Sequence, residues 1–346
     1  MHATDDSNTL QEIFSIKKAM GPDLVILTHH YQRPSIISVG DVQGDSFELS
    51  RKASRAEARY IVFCGVHFMA QSAAVLARPD QTVQIPDPDA GCPMADMADE
   101  INVAAAWEDL TGLLGPSIRP VVYMNSSAEL KAFCGRHGGC VCTSSNAVSA
   151  LTWAFSQSDR VLFFPDQHLG RNSGHVLGIP PEQTVVYTPG KPLGGNAPET
   201  MRNARLILWD GFCHVHMRFS EADIQSARAV HPDCRVIVHP ECRREVVAAA
   251  DESGSTSQIV KYVNSSPSGA TIVIGTEVHL IERMAELHPD KTILPLARSL
   301  CPNMYKITPE KLWVILRNPG TLNRVVVDPE TAHYARIALN QMLALP

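Results

Sequence analysis

Three cysteines pose the first chemical question. Cys92 in "AGCPMADM", Cys213 in "GFCHVHM" and Cys301 in "SLCPNM" each follow a short apolar run and stand in a turn near Gly or Pro. A single free cysteine in such a place is by default a small buried hydrophobe. Three at equivalent places make a ligand set, whose thiolates can hold a cubane iron–sulfur cluster with one iron open, or a Zn²⁺ ion with one open position. Sequence spacing does not choose between these metals. No CxxC pair of the zinc-ribbon kind occurs among the nine cysteines. Cys64 reads as a mid-strand residue, and Cys234 and Cys242 as packing residues. Cys134, Cys140 and Cys142 crowd into "FCGRHGGCVC" around His137, a candidate second metal or redox site.

Other polar groups recur after the same kind of run. His29, His216 and His239, with His30 and His214 beside them, are candidate ligands or substrate-binding groups. Glu241 in "HPEC" can move protons if a cavity raises its pKa. Its plainer role is at a helix start, with Pro240 and Glu241 in the first turn of "PECRREVVAAA". The turns "GDS" (44–46), "TSSNA" (143–147) and "GSTS" (254–257) suit helix N-caps; facing one cavity, they would suit a substrate with several anionic groups. His67, His279 and Trp209 read as packing residues. Neither GxGxxG nor a Walker-type GxxxxGK occurs, so a dinucleotide or P-loop site has no support.

The elements that must position these groups repeat three times. Short β-branched runs, polar turns and helix-like stretches alternate as in βα units of a parallel sheet. First strands are expected in "DLVILTHHY", "RPVVYMNSS" and "CRVIVHPEC". Second strands fall in "YIVFCGVHF", "GCVCTSSNA" and "ATIVIGTEV", and third strands in "TVQIPDPDAGC", "ARLILWDGFC" and "KTILPLARSLC". The middle set carries an extra strand, "RVLFFPDQHLG", and an irregular Gly/Pro-rich loop after it. Sites in such sheets lie beyond the carboxyl ends of the strands. The expected fold is therefore α/β: three pseudo-symmetric three-layer αβα domains with short parallel sheets around a central cavity. Their bounds are 22–112, 116–214 and 218–308, with an N-terminal helix at 9–20 and C-terminal helices within 309–345 packed on the first domain.

Composition narrows the class. A chain of 346 residues, 45% apolar and 19% charged, is long enough for two or three cores and too apolar for disorder. A net charge of −6 without any run of Lys or Arg argues against a nucleic-acid partner. The N-terminal stretch lacks the pattern of a signal peptide, and no apolar segment reaches membrane-spanning length. The expected location is cytoplasmic, with no membrane partner.

The ordered stretches "THHYQRPSI", "GDSFELSRKA", "PDPDAGCPMADM", "VVYMNSSAELKA", "CTSSNAV", "FPDQHLG", "GFCHVHMRFS", "VIVHPEC", "GSTSQIVKYV" and "CPNMYKIT" resemble the quinolinate synthase (NadA) family from near residue 24 to about 315. The resemblance implies a triangular assembly of three domains that share one [4Fe–4S] cluster, with Cys92, Cys213 and Cys301 as ligands. It implies condensation of iminoaspartate with dihydroxyacetone phosphate to quinolinate in de novo NAD biosynthesis, and a transient contact with the enzyme that supplies iminoaspartate. Glu241 would then be the proton-transfer carboxylate, assisted by Tyr31, with Tyr123 near the reacting atoms. His29, Ser46, Asn125, Ser144, His216, His239, Ser255 and Thr256 would bind substrate. "THHYQ" departs from the family's "AHYYQ" or "AHNYQ" at Thr28 and at the middle position, His30, and the register of the middle domain leaves Ser144 and Ser145 as alternatives. Two rivals from other classes are a non-catalytic iron–sulfur sensor, which needs no substrate site, and a zinc-dependent aldolase or lyase, which holds no inorganic sulfide.

Overall fold

Thirteen short strands, named here in chain order, form three sheets in the computed structural model, which describes residues 3–345. The first sheet holds β1 (Leu24–His29), β2 (Val42–Gly44), β3 (Tyr60–Cys64) and β4 (Thr82–Gln84), in the order β2-β1-β3-β4. The middle sheet holds β5 (Ile118–Tyr123), β6 (Cys140–Cys142), β7 (Arg160–Phe164), β8 (Thr184–Tyr187) and β9 (Leu206–Trp209), in the order β6-β5-β7-β9-β8. The last sheet holds β10 (Arg235–Val238), β11 (Glu252–Ser253), β12 (Thr271–Gly275) and β13 (Thr292–Pro295), in the order β11-β10-β12-β13. Pairing within the sheets is parallel throughout. With β8 set aside as an edge addition, one strand order serves all three.

Parallel strands need crossovers, and helices fill them on both faces, so the strands read as nearly continuous apolar runs. β1 and β5 are buried along five of six positions each, and β9 along all four. All three sheets share one continuous apolar core, which the last sheet joins through Ile237, Ile272 and Ile274, while Phe219, Ile224, Val236, Val238, Val246 and Val273 form a second cluster on its other face. Cys234 and Cys242 belong to that cluster, in line with a packing role. Trp209, fully buried, also donates its indole N–H to Met97 O at 2.8 Å.

Four features differ from expectation. "RVLFF" is not the extra strand of the middle sheet: it is β7, the partner of β5, and the addition is β8, "TVVY". "CVC" is not a second strand equivalent to β3 but the short edge strand β6, the counterpart of β2 and β11. A helix begins at Arg244 rather than Pro240, which leaves Glu241 in the preceding turn. The tail helix Pro329–Ala344, expected on the first domain, packs mainly on the helix Ala128–Arg136 and on β6 of the middle unit and only secondarily on His67–Leu76 of the first. Two contacts hold it between those units: Arg136 pairs with Glu330 at 3.3 Å, and Arg336 Nε donates to Val75 O of the helix His67–Leu76 at 2.7 Å. The N-terminal helix runs Ala3–Met20 and packs on Pro309–Leu316. No helix among the described residues is long and apolar enough to cross a membrane.

Candidate active site and metal centre

Carboxyl ends of the first strands of all three sheets open on one cavity. β1 delivers His29 and Tyr31, β5 delivers Tyr123 and Asn125, and β10 delivers His239 and Glu241. The edge strands β2 and β6 lead to Ser46 and Ser144, and β11 leads to Thr256. Cys92, Cys213, His216 and Cys301 also stand on the wall, together with the Asp45 carboxylate and apolar residues such as Phe68 and Met304. Every site residue expected from sequence is therefore on the wall except Ser255. That residue is fully buried and caps the helix Thr256–Ser265 in a capping box with Gln258. Ser145 also lies off this wall, and its hydroxyl bonds Asp45 Oδ2 at 2.6 Å and Ser255 Oγ at 2.8 Å. Ser144 is thus the serine of that turn that faces the cavity.

A hydrogen-bonded chain crosses the units beside this wall. Thr256 Oγ1 donates to Tyr31 Oη at 3.1 Å, and Tyr31 Oη lies 2.7 Å from Thr276 Oγ1. Thr276 Oγ1 is 3.1 Å from His216 Nε2, and His216 Nδ1 is 2.7 Å from Glu241 Oε2. Tyr123 donates its phenol to the other oxygen, Glu241 Oε1. Glu241, 2% exposed, therefore has both oxygens occupied. The sequence reading missed Thr276, which follows β12 and looks like a helix lead-in. Its position, one residue past a strand's carboxyl end, was the available signal.

Electrostatics separate the roles. Burial pushes Glu241 upward, but His239, His216 and the bonds from His216 and Tyr123 more than offset it and hold the carboxyl at about 2. The carboxyl is ionised at neutral pH, contrary to the expectation that a cavity would raise its pKa. Burial, reinforced by His30 and Arg283 at His29 and by His216 at His239, outweighs the opposing Asp45 and Glu241 carboxylates and lowers each ring to about 3, so both are neutral. Each accepts a backbone N–H at Nδ1: Tyr31 N to His29 at 3.1 Å, and Glu241 N to His239 at 3.3 Å. The free Nε2–H of each ring is then a donor. No Lys or Arg lines the cavity, so an anion there would rely on hydroxyls, imidazoles and the positive ends of the helices that begin at Ser46 and Thr256, beside the Asp45 and Glu241 carboxylates.

The cysteines share one local design. Each precedes by three residues a short 3₁₀ turn, Ala95–Met97, His216–Arg218 or Met304–Lys306. Burial raises Cys92 to about 12 and also raises Cys213 and Cys301. Cys301 adds to the rise at Cys92, Glu241 and Cys92 add to it at Cys213, and backbone N–H groups of the turns oppose it. Three enclosed thiols of this kind deprotonate when a cation takes their charge, so the donor set suits a metal centre. Among the described residues, the trio of donor atoms gathered within 4.8 Å is Cys213, His216 and Glu241. The sulfurs of the three cysteines form no such trio.

The candidate second site around His137 does not assemble. Cys134, Cys140 and Cys142 are fully buried, and Cys134 Sγ donates to Pro120 O and Cys140 O, both at 3.3 Å. His137 instead packs against Phe133 and Trp107, its ring centroid 4.4 Å and 4.8 Å from theirs. His279 is more than packing: its Nδ1 lies 2.9 Å from the buried carboxylate of Glu277.

Three α/β units around one cavity, with Cys92, Cys213 and Cys301 on its wall beside Glu241 and buried histidines, define an α/β enzyme whose cavity could bind a metal. The family NadA, described as Quinolinate synthetase A protein, matches residues 11–344, and the chain belongs to that family. Proteins named quinolinate synthase are 49% identical in Corynebacterium glutamicum (98% of this chain, 88% of the relative), 47% in Nocardioides sp. (99% and 90%) and 48% in Streptomyces coelicolor (99% and 89%).

Proposed function

We propose that this chain is a quinolinate synthase of de novo NAD biosynthesis, which condenses iminoaspartate with dihydroxyacetone phosphate to give quinolinate, phosphate and two waters. The observation that carries the reading is the meeting of Cys92, Cys213 and Cys301 on one cavity wall with the Tyr123–Glu241–His216 cluster. Units of 22–112, 116–214 and 218–308 would each contribute one cysteine. A [4Fe–4S] cluster held by these three cysteines would supply a Lewis acid at its fourth iron.

The chain's own residues account for binding and proton movement. Hydroxyls of Ser46, Ser144 and Thr256 and the amide of Asn125 receive carboxylate and phosphate oxygens near helix starts. Nε2–H of His29 and of His239 donates to substrate oxygens, because each Nδ1 is already an acceptor. Glu241, ionised at rest, takes the proton released in tautomerisation and returns it to a departing hydroxyl. Tyr123 and His216 hold that carboxylate in place, and Tyr31 extends the chain to Thr256. Ser255 acts as a cap and not as a substrate ligand.

Quinolinate formation by anaerobically iron-loaded enzyme tests the reading. A Glu241→Gln variant with normal turnover and normal iron would remove Glu241 from the proton-transfer role. One observation favours a second reading: Cys213, His216 and Glu241 are close enough to hold one zinc ion. Zinc without sulfide in the purified protein would select it.

A further inference from the structure

The third strand along each sheet leads into a helix: β3 into His67–Leu76, β7 into Gln167–Val176 and β12 into Val278–Leu287. The sixth residues of these helices are Ser72, Asn172 and Arg283, and all three side chains are buried. Each reaches out of its own unit into the turn that follows the first strand of the next. Ser72 Oγ lies 3.2 Å from Met124 Sδ. Asn172 Nδ2 donates to Pro240 O and Cys242 O, both at 2.8 Å. Arg283 Nη1 donates to His30 O at 3.0 Å, and Nη2 lies 3.1 Å from His30 Nδ1. Met124, Pro240 and His30 hold the same place, one residue past Tyr123, His239 and His29. The first unit thus touches the second, the second the third, and the third the first.

Two of these contacts carry features that packing alone does not require. Asn172 spends both N–H groups on the carbonyls either side of Glu241, while its own Oδ1 is buried without a partner. An apolar side chain of similar volume would fill the space without that penalty. Arg283 buries a guanidinium that makes no ion pair among the described residues and gives its hydrogen bonds to the residue between His29 and Tyr31. We propose that Asn172 and Arg283 are positioning residues, each of which holds the reactive turn of the neighbouring unit in register with the cavity, and that Ser72 is the weak third member of this ring. Glu241 and the His29–Tyr31 pair then depend on the relative placement of the units, and a turn shifted by about 1 Å loses up to about a hundredfold in turnover.

The inference rests on the site roles given above, so the test separates the two. Steady-state kinetics are measured on iron-loaded Asn172→Asp, Asn172→Ser, Arg283→Met and Arg283→Lys, with iron per chain and thermal midpoint recorded for each and Glu241→Gln run in parallel. Asp keeps the volume of Asn but replaces two donors with acceptors, whereas Ser restores one donor. The expected result is a kcat lowered by about 10- to 100-fold in Asn172→Asp and Arg283→Met, with KM changed much less, iron retained, and partial recovery in Asn172→Ser and Arg283→Lys. Wild-type kcat in loaded Asn172→Asp and Arg283→Met would overturn the proposal. So would a loss that follows iron content or thermal midpoint alone, with no difference between Asp and Ser or between Met and Lys. If Asn172→Asp is slow while Glu241→Gln is fully active, the role of Glu241 fails and the clamp on its turn stands. If Asn172→Asp does not fold, the comparison of Arg283→Lys with Arg283→Met decides the case alone.

Discussion

Two cysteine-rich regions of this chain have opposite chemistry. Cys134, Cys140 and Cys142 are neighbours in sequence and in space, yet they are sealed between β5, β6 and the tail helix, with the Cys134 thiol given to backbone carbonyls. Cys92, Cys213 and Cys301 are far apart in sequence and only partly buried, and they come together on one cavity wall. Density of cysteines in the sequence therefore points to the wrong region. What marks a ligand set is a shared position beyond the carboxyl ends of strands, where a turn offers both access and backbone N–H groups. Burial raises the thiols of both sets, but only the proposed ligand set lines a cavity where a metal could take the place of its protons.

The contrast is sharpest when the two sets are mutated in parallel. Cys213→Ala should abolish quinolinate formation, whereas Cys142→Ala should keep it; a dead Cys142→Ala with intact fold would erase the distinction. Within the cavity, Glu241→Gln should lower kcat by about 10²- to 10⁴-fold without loss of iron, as read by anaerobic assay and iron analysis. Tyr123→Phe removes one hydrogen bond to an ionised carboxylate, worth about 1.5–3 kcal/mol, so a drop of roughly tenfold or more in kcat is expected.

Acid should separate the regions without any mutation. His29 and His239 bind protons near 3 in the folded chain and His30 near 4, against an ordinary value of 6.5. Between those values the unfolded chain holds more protons, so stability is full above about 6.5 and falls as pH drops toward 3, by up to about 1.4 kcal/mol per pH unit for each ring. Glu241 adds in the same direction at lower pH: its contribution is present above its unfolded value and is lost as pH falls through about 2. The thiols around β6 stay protonated across this range. Hydrogen exchange of the metal-free protein at pH 7 and pH 5 should show the 239–242 turn losing protection before β6 does. Equal loss in both would mean that the buried histidines do not govern acid stability. The smallest effect expected is Cys134→Ala, with about 1 kcal/mol of destabilisation seen as a lower Tm and unchanged activity.

The sequence carried much of this arrangement because the long central strands and their polar turns are legible locally. "DLVILTHHY" and "CRVIVHPEC" each state a buried parallel strand and the reactive turn after it. Edge strands were less legible: β2, β6 and β11 have two or three residues, too few for any periodicity, and they are defined by pairing to β1, β5 and β10. That is why "CVC" reads in the sequence like a central strand and "RVLFF" like an addition. Thr276 and the Asn172 and Arg283 contacts were hidden for a different reason. Each is polar in a segment that reads as an ordinary helix or its lead-in, and its partner lies in another unit. Glu241 was found as a candidate, but the sign of its pKa shift depends on His216, His239 and Tyr123 closing around it, which no linear pattern states.

The central claim is that one cysteine from each unit serves a single cluster. Iron and acid-labile sulfide per chain, measured in anaerobically purified wild type and in Cys92→Ser, Cys213→Ser and Cys301→Ser beside Cys134→Ser, test it most directly. The account predicts about four of each in wild type and in Cys134→Ser, and loss in all three cavity variants. Zinc without sulfide, or loss in Cys134→Ser alone, would contradict it.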